Sequence, residues 1–132
     1  MAANVKLTPD QHRRIAEIET HLKTVAHLKH LIAELESNRA GAKRVIEQLC
    51  ESIARELSQM RQRALTANIG TIADVAGAMS VMASRGGGLD FKLRGLGEGV
   101  TSLTMQLATK LASATYFRQL YQKSNMPIKF FS

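Results

Sequence analysis

The sequence predicts an all-α protein: an antiparallel bundle of three or four helices with a long N-terminal helical hairpin. Three observations carry that expectation. The only prolines are Pro9 and Pro127, so the chain between them lacks the strongest helix breaker. Apolar residues recur there at alternating steps of three and four, the pattern of a helix with one buried face. Period-two alternation, the signature of strands, is missing outside the final few residues.

The special residues divide the chain. Eight of the nine glycines fall between Gly70 and Gly99, and all six aromatic residues lie from Phe91 onward. The chain reads as a single domain over 1–132. A helical hairpin occupies 8–66. A Gly- and Ala-rich helix, a glycine hinge and an aromatic-anchored helix follow over 69–125, and a tail covers 126–132.

The first helix announces its start in Thr8-Pro9-Asp10-Gln11: a hydroxyl cap, a proline at the first helical position, then an acid and a Gln in the first turn. Its stripe is Ile15, Ile18, Leu22, Val25, Leu28, Ile32 and Leu35, widened by Leu31. It is expected to end near Ser37-Asn38, with Gly41 as a left-handed terminator. The second helix buries Ile46, Leu49, Ile53, Leu57, Met60 and Ala64, and places Glu51 and Arg55 as an i,i+4 pair. Thr66 to Gly70 is a boundary at which this helix stops or bends onward.

The next helix, roughly 69–84, has two faces. Ile72, Val75, Met79 and Met82 make a bulky stripe; Gly70, Ala73, Gly77, Ser80 and Ser84 make a stripe of small residues. Small residues let a second backbone approach closely, and tight packing within the fold is the expectation. A turn over Arg85–Asp90 contains Gly86, Gly87 and Gly88. The last helix carries Leu93, Leu96, Val100, Leu103, Leu107, Leu111, Ala114, Phe117 and Tyr121, a coiled-coil-like period, and should end near Asn125. Gly95, Gly97 and Gly99 in its first turns cost about 3 kcal/mol against alanine. They are therefore read, with Gly86, Gly87 and Gly88, as a hinge: frayed, kinked or ordered by a partner.

Composition bounds the chemistry. The chain has 132 residues, 18 Lys and Arg against 11 Asp and Glu, a net charge of +7, and one cysteine, Cys50. That length buries a useful core without disulfides or metal. A lone cysteine excludes a disulfide framework and favours a reducing compartment. Between Leu49 and Ile53, it reads as a small buried thiol. His27, His30 and Glu34 share a helix face. Metal sites in bundles draw ligands from at least two helices, however, and the second helix has no histidine. No metal or other cofactor is expected, and the histidines read as a solvated, pH-sensitive face. No G-x-S-x-G elbow is present, no carboxylate pair sits in an evident pocket-forming context, and the glycine run lacks a preceding strand and a G-K-[ST] signature. The expectation is a non-enzyme without a small-molecule substrate.

Three features point to partners instead. Arg39, Lys43 and Arg44 at the first turn and Arg85, Lys92 and Arg94 at the third connection should come to one end of an up-down bundle. Together they suit phosphates or an acidic partner. The tail residues Ile128, Phe130 and Phe131 follow a helix-stopping proline and should fold back on the bundle or dock in trans. The small stripe and the glycines at 95–99 offer further contacts. The reading is a helical interaction protein that self-associates, as a homo-oligomer, or joins a larger assembly such as a scaffold, secretion-type or virion component. A small basic nucleic-acid-binding protein is the alternative. Peripheral membrane engagement by 69–83 is third, weakened by Asp74 and the segment's short length. The absence of a signal-peptide core or spanning segment suggests a cytoplasmic, leaderless-exported or virion-associated protein.

Overall fold

The computed structural model describes residues 8–124, with side chains to Ala114. Four helices follow one another: α1 Pro9–Ser37, α2 Lys43–Thr66, α3 Gly70–Ser84 and α4 Leu89–Ser124. The protein is an all-α antiparallel bundle. Each helix packs on its sequence neighbours, α4 closes against α1, and the diagonal pairs make no close backbone approach among the described residues. Short links force this up-down order, because a turn of a few residues can only return the chain alongside the helix it has left.

The caps explain the boundaries. At the start of α1, Gln11 N–H donates to Thr8 Oγ1 at 3.1 Å while Thr8 N–H donates to Gln11 Oε1 at 2.7 Å, the reciprocal capping box. At its end the cap is Asn38, not Gly41. The Asn38 N–H donates to the Glu34 and Leu35 carbonyls, and its Nδ2 donates to Glu34 O at 2.8 Å. Gly41 donates to Asn38 O at 2.8 Å and does not adopt the left-handed conformation expected of it. The side-chain amide of Asn38 already satisfies a terminal carbonyl, so no left-handed glycine is required there.

Helix α2 stops rather than bending on. Asn68 sits at φ 62°, and the N–H groups of Asn68 and Ile69 donate to Leu65 O at 3.1 Å and Ala64 O at 2.8 Å. This is a Schellman cap with asparagine in the left-handed position usually held by glycine. The buried Ile69 then anchors the turn into the core. Between α3 and α4 the same need for positive φ falls on Gly87, at 131°.

The core is a continuous aliphatic seam: Ile18, Val25, Leu28 and Leu35 from α1, Ile53, Leu57 and Met60 from α2, Ile72, Ala76 and Met79 from α3, and Leu96, Leu103 and Leu107 from α4. Cys50 is a free, buried thiol within it. Two expectations on α1 and α2 need correction. The buried position after Ile18 is His21, 1% exposed, whereas Leu22 is half-buried. Glu51 and Arg55 form no ion pair among the described residues; both are exposed, where water and side-chain entropy cancel most of the attraction.

Candidate interaction surfaces

The expected glycine hinge at 95–99 is not a break. Helix α4 runs unbroken from Leu89, and two of its glycines are notches for methionines of α3. A Cβ on Gly99 would lie 2.5 Å from Met79 Sδ and 2.6 Å from its Cγ; one on Gly95 would overlap the Met82 thioether. Gly97, between them, has no heavy atom within 4 Å of such a Cβ. The cost of glycine in a helix is thus offset at two positions by closer α3–α4 packing. Around the α3–α4 turn, Gly86, Gly87 and Gly88 stand in open space.

The small stripe on α3 is used unevenly. Ala73 is buried, Gly77 receives the Arg61 side chain with Cδ 3.0 Å from a would-be Cβ, and Ser80 Oγ donates to Ala54 O at 2.9 Å and pairs with Ser58 Oγ at 2.9 Å. Gly70 and Ser84, at the two ends, are exposed. Ala76 and Ala83, outside the expected stripe, are fully buried. This face is therefore occupied by α2 rather than presented outward.

Polar side chains tie α1 to α2. His27 Nδ1 lies 3.0 Å from Glu56 Oε1, and Arg63 Nη2 lies 3.5 Å from Glu17 Oε2. His21 Nε2 is 3.2 Å from Glu17 Oε1, but the angles miss hydrogen-bond geometry and leave that buried nitrogen without a hydrogen-bond partner among the described residues. Burial holds the His21 imidazole below its ordinary value of 6.5; the Glu17 carboxylate pulls it back up, and the Arg63 guanidinium pushes it further down. His30 pairs with Glu34 at 2.8 Å on the exposed side. Among the described residues no three His, Cys, Asp or Glu side chains gather to hold a metal ion.

The structure does bring the two basic groups to one end, since Arg39 pairs with Asp90 across the first and third connections. Half of the six charges are engaged. Arg39 also pairs with Glu36 at 3.0 Å, Lys43 lies 3.8 Å from Glu47, and Lys92 Nζ donates to Ala83 O at 3.4 Å. Arg44, Arg85 and Arg94 are exposed and form no ion pair among the described residues. At the opposite end, a groove of about 500 Å³ between α1 and α4 has Ile15, Ile18 and Ile69 in its lining and Arg14 and Lys110 beside them.

Large apolar side chains also face solvent. Phe91 is 69% and Met105 65% exposed, both on the outer face of α4. Val45, Leu65 and Val81 are exposed on other faces and were not singled out by any helical stripe. The tail residues Ile128, Phe130 and Phe131 lie outside the described residues, as do the side chains of Phe117 and Tyr121. No helix among the described residues is long and apolar enough to cross a membrane. No family model matches the chain, and neither a curated protein nor a solved structure matches it.

Proposed function

We propose that the protein is a non-enzymatic helical assembly component, working by self-association or by docking into a larger complex. The observation that carries this reading is the outer face of α4, where Phe91 and Met105 stand in water while the inner face of the same helix fills the bundle core. Two large apolar side chains on an exposed helix face gain by burial against a partner. The His27–Glu56 hydrogen bond and the Arg63–Glu17 and Arg39–Asp90 ion pairs each join two parts of the fold. They are accounted for as packing contacts rather than as acid–base machinery.

A second reading has its own observation. Arg44, Arg85 and Arg94 form no ion pair among the described residues and belong to the basic end of a chain of net charge +7, which favours an anionic partner such as nucleic acid. Light scattering of the purified full chain on a sizing column, with its ultraviolet spectrum, separates the two. A defined multimer with a tyrosine-only spectrum supports assembly. A nucleic-acid signal that salt removes overturns it in favour of the second reading. The chain has two tyrosines and no tryptophan, so carried nucleic acid would dominate the spectrum.

A further inference from the structure

The outer face of α4 has a pattern that limits what can cover it. Phe91, Arg94, Glu98, Thr101, Met105 and Ala108 follow one another at three- and four-residue steps, and all are exposed. This is a second seam beside the inward one of Leu96, Val100, Leu103 and Leu107. Its two charges are opposite in sign, one turn apart, and neither takes part in an ion pair among the described residues. An Arg placed N-terminal to a Glu at i,i+4 is the weaker orientation for pairing within one helix.

Resting on the assembly reading, we propose that a second copy of this chain covers this face. In this dimer α4 lies antiparallel on α4 about a two-fold axis at the level of residue 96. The charges select this arrangement. A parallel two-fold pair sets each seam residue against its own copy, so Arg94 would meet Arg94 and Glu98 would meet Glu98. The antiparallel pair centred between them sets Arg94 against the second copy's Glu98, and the reverse, with two ion pairs from one operation. In that register Phe91 lies over the small Thr101 of the other copy. Met105 reaches the turn at Gly87 and Gly88, where the structure has open space around both glycines. One helix face buries less than the roughly 800 Å² per partner of a standard interface, so the dimer is concentration-dependent rather than obligate.

The test is sedimentation velocity on the full chain and on Arg94→Glu, Glu98→Arg, the double variant, and an equimolar mixture of the two single variants. Like charges face each other in either single variant, so each raises the dimer dissociation constant about tenfold or more. The double variant and the mixture restore complementarity and sediment as the wild type does. Both positions are exposed and form no ion pair among the described residues, so circular dichroism stays at the wild-type helicity throughout. A wild type that dimerises but ignores both single variants overturns the α4 register and leaves the assembly reading standing. A wild type that is monomeric at every concentration overturns this inference together with the self-association half of that reading.

Discussion

Replacing Gly95, Gly97 and Gly99 by alanine, one at a time, tests the α3–α4 seam, because one chemical change should give three different results. In each case alanine gains about 1 kcal/mol of helix propensity. At Gly97 nothing lies within 4 Å of the new Cβ, so that gain is kept and the protein is more stable by roughly 0.5–1 kcal/mol. At Gly99 the new Cβ would sit 2.5 Å from Met79 Sδ and 2.6 Å from Cγ, and Met79 is 3% exposed with nowhere to move. Overpacking of this kind costs about 1–3 kcal/mol, leaving a net loss of about 1 kcal/mol. At Gly95 the obstruction is the Sδ and Cε end of the half-buried Met82, which can swing away, so gain and loss nearly cancel. Urea unfolding followed by circular dichroism reads these differences directly, and in a melt each kcal/mol moves Tm by about 4 °C. Trimming Met79 to alanine should turn the Gly99→Ala penalty into a gain, which isolates the pair as the cause. If Gly99→Ala stabilises as much as Gly97→Ala, Met79 does not occupy the glycine notch and the packing account fails.

Other perturbations act elsewhere. His21 is held below 6.5 by burial, so the unfolded chain takes up the proton first; stability present above pH 6.5 is lost as pH falls through the folded-state value. His21→Leu should flatten that decline in thermal melts. Asn68, at φ 62°, should tolerate glycine with little change but lose about 1–2 kcal/mol as valine, measured by urea unfolding. Ser80→Ala removes the hydroxyl bonded to Ala54 O and Ser58 and should cost about 1 kcal/mol. A larger Ser80→Leu should separate α2 from α3 and cost more, with the two variants ranked by the same unfolding assay.

Fold class was legible because spacing is one-dimensional information: two terminal prolines, the Thr8–Gln11 cap and unbroken three–four stripes specify helices without knowledge of their neighbours. What partners a helix face is not contained in that spacing. Gly95 and Gly99 read as a weakness because glycine costs helix stability; only the placement of Met82 and Met79 opposite them makes them recesses. Spacing alone favours Leu22 over His21, because nothing in a one-dimensional stripe places a polar ring at a core position, least of all one whose Nε2 has no hydrogen-bond partner among the described residues. Asn68 carried a usable signal, since asparagine tolerates the left-handed conformation, and it would have separated α2 from α3. Up-down topology brings the first and third connections to one end, but the engagement of Arg39 by Asp90 depends on how the two connections meet.

Sedimentation equilibrium of the wild type beside a Phe91→Ser/Met105→Ser variant tests the assembly claim most directly. Both side chains face water, so the variant keeps its fold and loses only the apolar anchors of the outer α4 face. The account predicts that the wild-type mass rises above 14.5 kDa with concentration while the variant stays at that value. Equal masses for the two at every concentration would contradict it.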